Sequence, residues 1–117
     1  MNMFYVILGG GVGAGVRWLL TGFLYSAQFP MGTLSVNLLG CLFIGVASCL
    51  LLNSPKMSLL LITGFLGGFT TFSSFGLDSF QLLRNQNYIK FLTYVGLSNV
   101  LGIILVILGH KTTSYFI

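Results

Sequence analysis

Asp78 is the only carboxylate in the chain, and it lies near the end of a stretch from Gly64 to Phe80, GFLGGFTTFSSFGLDSF, that is too polar for ordinary lipid-facing helix. Thr70, Thr71, Ser73 and Ser74 offer hydroxyl groups there, while Phe65, Phe69 and Phe72 recur at i, i+4 and i+7, with Phe75 three residues further on. That spacing puts several rings on one helix face. Such a stripe is ordinarily packing, but an aromatic ring has a positive edge. Rings turned edge-on beside hydroxyls and amides can receive a small anion without any full positive charge, which favours its release. Glycine-rich, polar backbone at membrane depth is tolerated where it is buried in protein or lines a water-filled path. The stretch therefore reads as an ion site.

Other donors stand on neighbouring segments. Asn37 follows Thr33 by four residues on one helix face, and Tyr94 and Ser98 form a similar pair of hydroxyls. An amide in an apolar helix usually makes an interhelical hydrogen bond, and it can also offer two N–H groups to an anion. Together with the Gly64 to Phe80 stretch, these residues give donors on three segments and almost no competing negative charge.

The elements that must position them are membrane helices. The 117 residues are 56% hydrophobic and 5% charged, with five Lys and Arg against one Asp, and the mean hydropathy is +0.99. A soluble surface cannot be built from so few charges. A spanning helix needs about 20 mostly apolar residues, so the length accommodates four spans with short loops and no extramembrane domain. They are expected over about residues 4–25, 33–52, 57–83 and 91–108, in a single four-helix domain covering 1–117. The third is longer than a simple span, and a break near Gly67 to Ser74 or a strong tilt would absorb the excess.

The first apolar segment lacks a basic residue ahead of it and carries Arg17 inside, so it reads as a retained helix rather than a signal peptide. Its glycines include Gly9, Gly13 and Gly11, Gly15 at GxxxG spacing, which lets helix backbones approach closely in lipid. Gly9, Gly11 and Ala14 also satisfy a dinucleotide fingerprint. That reading needs a soluble βαβ unit and an acid about 20 residues on, which is absent. Cys41 and Cys49 lie roughly 12 Å apart along one helix, too far for a bridge, and read as packing residues. His110, with no second His or nearby carboxylate, reads as an interfacial residue.

Orientation should follow the distribution of Lys and Arg between loops. With four spans, Lys56 and Lys111 fall on the side of the N-terminus and Arg84 and Lys90 on the other, with Arg17 able to snorkel toward the second side. So even a division gives little reason for one orientation, and both become expected.

Asn37 within GTLSVNLLG, residues 32–40, together with GFLGGFTTFSSF, residues 64–75, resembles the two signatures of the CrcB/Fluc fluoride channels. The early glycine cluster, Arg17 and the four-span size extend the resemblance over nearly the whole chain. It implies an all-α integral membrane protein whose third helix is broken, assembled as an antiparallel dual-topology homodimer. That dimer would hold two fluoride pores and a structural sodium ion at its centre. By motif, Phe72 and Phe75 resemble the pore phenylalanines, Asn37 the pore amide, and Thr71 and Ser73 the hydroxyls of the break. Gly67 and Thr70 resemble the residues whose backbone carbonyls hold sodium. Tyr94 and Ser98 resemble a polar track in span four, which some relatives extend with a hydroxyl where Gly102 stands here. Arg17 resembles a first-helix arginine near a vestibule, with snorkelling and packing as its alternative role. In the family it resembles, an acid, usually glutamate, stands at the offset of Asp78, whose own role, vestibule or structural hydrogen bonding, stays open.

The expectation is passive, fluoride-selective conduction across a bacterial cytoplasmic membrane that relieves fluoride toxicity, with no enzyme chemistry and no nucleic-acid partner. The partners expected are fluoride, sodium, lipid and a second copy of the chain, or a paralogue in a heterodimer. Two other classes share the size. A small proton-coupled multidrug exporter depends on a membrane-embedded glutamate in its first helix, and this sequence has no glutamate. A non-transporting assembly subunit would rest on the GxxxG faces alone.

Overall fold

The computed structural model describes residues 2–51 and 53–117. These form helices and short turns, and four helices are long and apolar enough to cross a membrane: Asn2–Phe23, Met31–Leu50, Pro55–Arg84 and Tyr88–Phe116, here spans one to four. Short connections join them. Pro55 opens span three at a first-turn position, where its missing N–H costs nothing and its fixed φ already suits the helix. Gln86, with φ 60°, makes the left-handed turn between spans three and four.

Glycine decides which helices meet. A Cβ on Gly9 or Gly13 would strike the backbone of Leu60 and Phe65, and one on Gly68 would strike the backbone of Gly10, so span one lies directly on the first part of span three. Spans two and four meet in the same way, with Gly45 against the Val106 carbonyl and Gly109 against the Leu42 carbonyl. Lipid tails are as apolar as the helices, so close backbone approach, rather than a hydrophobic driving force, holds such pairs. Gly11 and Gly15 of span one instead face open space. Of the two expected GxxxG pairs, only Gly9 and Gly13 are used within the chain.

Span three changes winding and partner along its length. Ser58–Leu66 is π-wound, Gly67–Phe69 is α-helical, and Phe72–Arg84 is α-helical again. Between them Thr70 (φ −89°, ψ 160°) and Thr71 (φ −150°, ψ 121°) are extended. Before these residues, Leu66 and Phe69 join Val36 in a core reached by Val16 and Leu20 of span one. After them, Leu82 joins Leu34 and Tyr94 in a second core with Phe29, Phe75 and Phe91. Span two supplies both cores, through Val36 and Leu34.

Candidate functional site

The extended pair is fixed from outside by span two. The Asn37 side-chain amide donates to the Thr71 carbonyl at 3.0 Å, and the Thr71 N–H donates to Asn37 Oδ1 at 2.8 Å. One N–H of Asn37 remains for another acceptor. Thr71 also caps the helix that follows, its Oγ1 accepting from the Ser74 N–H at 3.2 Å. Thr is a favoured residue at that position because its oxygen satisfies a first-turn amide. The Ser73 hydroxyl lies 3.2 Å from Thr71 Oγ1.

These bonds redirect the backbone donors. In a continuous α-helix the Thr71 N–H would serve the Gly67 carbonyl, and the Ser74 N–H would serve the Thr70 carbonyl. Here the first goes to Asn37 and the second to Thr71 Oγ1. The two carbonyls expected to hold sodium thus lose their helical donors, as a cation site made of main-chain oxygens requires. The hydroxyl of Thr70 is turned away from that role, donating to the Leu66 carbonyl at 3.0 Å.

Arg17 reaches the same segment, its Nε donating to the Gly68 carbonyl at 3.1 Å. The guanidinium thereby ties span one to span three just before the extended pair.

A groove of about 330 Å³ runs past these residues. Asn37, Thr71, Phe72, Phe75 and Ser98 line it, as do Gly67 and Thr70, and none of its described lining residues is charged. Phe72 is 81% exposed, so its ring stands free at the groove edge. Phe75 is half-buried, 5.5 Å from Phe72 and 5.1 Å from Tyr94 between ring centres. The Ser98 oxygen is buried and has no hydrogen-bond partner among the described residues.

Two expected pore residues lie outside the groove lining. Ser73 is exposed beside Thr71. Tyr94 is fully buried, with Phe29 edge-on at 5.7 Å, and its hydroxyl donates to Asp78 Oδ2 at 3.1 Å. Of the Tyr94 and Ser98 pair, only Ser98 lines the groove. Asp78, whose role the sequence left open, faces a larger cavity of about 480 Å³ with Thr33, Gln81, Asn85 and Asn87. Ser98 belongs to the π-wound stretch Leu97–Leu101, and the Gly102 N–H that follows it donates to the Asn99 carbonyl. His110 Nδ1 lies 3.0 Å from Ser48 Oγ, joining the ends of spans four and two.

Asn99, not among the expected site residues, and Cys41, expected only to pack, also line the groove. An amide in the middle of an apolar span was a visible signal for Asn99. For Cys41 no comparable signal existed, because a cysteine in a span is usually packing.

Comparison with known proteins bears out the resemblance over nearly the full length. A curated relative from Hydrogenobaculum sp. (strain Y04AAS1), named Fluoride-specific ion channel FluC, is 44% identical over 116 residues, covering 94% of this chain and 95% of its own. One of the same name from Aquifex aeolicus (strain VF5) is 44% identical over 115 residues, covering 92% and 93%. A third, from Helicobacter acinonychis (strain Sheeba), is 39% identical and covers all of both chains. Residues 4–110 match the family described as CrcB-like protein, Camphor Resistance (CrcB), and the chain belongs to that family.

Proposed function

We propose that this chain is a passive, fluoride-selective ion channel of a bacterial inner membrane, and that it exports fluoride rather than catalysing a reaction. The observation that carries the reading is the groove in which an amide, a backbone break, two phenylalanine rings and an unpartnered serine hydroxyl meet without a charged side chain. Neutral donors bind a small anion without holding it, and the inside-negative potential contributes about 2.3 kcal/mol per unit charge per 100 mV toward its exit. The curated relatives bear the matching name. A proton-coupled exporter is less well supported, since the one carboxylate is engaged with Tyr94.

The finer reading is a third span broken at Thr70 and Thr71, in an antiparallel homodimer of dual topology with sodium between the subunits. It is supported by the extended dihedrals, by the redirected donors at Gly67 and Thr70, and by an ion groove that one chain leaves open along its exposed Phe72 edge. When bound, sodium would supply a positive charge that ties the two breaks together through main-chain oxygens.

Efflux from liposomes followed with fluoride and chloride electrodes tests the function. Fluoride should leave at channel-like rates while chloride is retained, and comparable chloride flux would refute the selectivity. Sodium removal should weaken the dimer or its activity without altering that selectivity. Gly67→Val should weaken assembly while Thr70→Ser stays mild, because the proposed ligands are main-chain oxygens.

A further inference from the structure

Span four carries two adjacent polar side chains at mid-length, Ser98 and Asn99, and both line the neutral groove. On an α-helix neighbours point about 100° apart, close enough for both to line one groove, as Gly40 and Cys41 of span two also do. Here both fall within the π-wound stretch Leu97–Leu101. Local π turns are frequent at functional sites.

The bonding of Asn99 leaves it half free. Its amide donates to the Val95 carbonyl of its own helix at 2.8 Å, so a second N–H remains unassigned. The residue is exposed, at a depth where lipid offers no hydrogen-bond partner and where polar side chains face protein or an ion path. Beside it the buried Ser98 oxygen has no partner among the described residues. Such groups are normally satisfied, and a passing ion would satisfy this one.

We infer that Asn99 is a second amide ligand of the ion path, on the span-four wall of the groove whose span-two wall carries Asn37. The two amides and the Ser98 hydroxyl then give a small anion donors from both walls. A fluoride ion crossing the groove exchanges its water for them, and the free N–H of Asn99 is what it meets next to Ser98. This rests on the fluoride reading.

Wild-type, Asn99→Leu, Asn99→Ser and Asn37→Leu chains should be compared for fluoride efflux from liposomes and for dimer content in detergent. Leucine keeps the volume and removes the donor, so Asn99→Leu should slow flux by about ten- to a hundredfold, the range expected for one hydrogen bond to an ion. The dimer should stay intact, and Asn99→Ser, which restores a donor, should recover much of the rate. Full flux in Asn99→Leu, with Asn37→Leu inactive, would overturn the role of Asn99 and leave the fluoride reading standing. Loss of flux together with the dimer in Asn99→Leu would overturn it in favour of a packing contact. A wild-type chain that passes no fluoride would overturn both.

Discussion

Asn37 and Thr71 are joined by two hydrogen bonds of opposite direction, the side-chain amide donating to the Thr71 carbonyl at 3.0 Å and the Thr71 N–H donating to Oδ1 at 2.8 Å. One side chain on span two thus imitates a strand neighbour for one residue of span three. Without it the Thr71 backbone would either stay unpaired or rejoin its helix.

Asn37→Leu should therefore lower stability by about 1–3 kcal/mol, the cost of leaving partly buried backbone groups unmatched, and should abolish flux. Asn37→Asp keeps the acceptor for the Thr71 N–H but loses the donor to the Thr71 carbonyl and sets a charge in the span, so it should be at least as destabilising and should also block the anion. Thermal denaturation in detergent, read alongside efflux, checks both. Wild-type stability in Asn37→Leu would show that the amide does not hold the break.

The two groove phenylalanines should separate in stability while agreeing in function. Phe72→Ile and Phe75→Ile both remove a ring edge, so both should abolish or greatly slow fluoride flux with the dimer intact. Phe72 is 81% exposed, and its substitution should change single-chain stability by less than about 0.5 kcal/mol, the usual range for surface sites. Phe75 touches the Tyr94 ring and should cost about 1–2 kcal/mol, combining lost ring contact and lost area. Normal conduction by both variants would return the rings to a packing stripe.

Tyr94→Phe removes the hydroxyl that donates to Asp78 and keeps the ring in the second core. It should destabilise by about 1–2 kcal/mol, with Asp78→Asn milder because an acceptor oxygen remains for the tyrosine. A double-mutant cycle on the pair should show coupling of at least about 0.5 kcal/mol. Additive effects would mean that the 3.1 Å contact contributes nothing to stability.

Native thiols report on the groove directly. Cys41 lines it and Cys49 does not, so a small thiol-reactive reagent should slow fluoride efflux in wild type and in Cys49→Ser, and should have no effect on Cys41→Ser. Slowing that persists in Cys41→Ser would place the reactive thiol elsewhere.

Dual topology is the expectation from the loop Lys and Arg, two on each side with Arg17 inside span one. Reporters fused at the C-terminus should be active on both sides of the membrane, and two or three lysines added to one loop should fix a single orientation. A wild-type chain found only one way round would refute dual topology for a homodimer and point to a paralogous partner.

Much of this architecture was legible in the residues, and the reasons are local. Thr70 and Thr71 stand out because hydroxyls and glycines interrupt an apolar run, and Gly9 and Gly13 because close helix contact in lipid needs small residues. The tie from Arg17 to Gly68 was not legible, since a main-chain carbonyl has no letter in the sequence. Nor was the burial of Tyr94, whose distance from Ser98 promised a shared face on an α-helix. Tyr94 is instead held by Asp78, from across a turn, and by the Phe29 and Phe75 rings. The π winding around Ser98 and Asn99 left no composition signal at all.

The interruption at Thr70 and Thr71 also has an electrostatic meaning. A helix carries roughly half a positive charge at its N-terminus and half a negative charge at its C-terminus. One helical piece ends at Phe69 and the next begins at Phe72, so a negative end and a positive end stand two residues apart inside the membrane. A single span thereby offers a cation its carbonyl end and an anion its amide end, each without a formal charge. On the proposed function, one stretch of backbone would then stabilise neighbouring ions of opposite sign in a chain with a single acidic and five basic side chains.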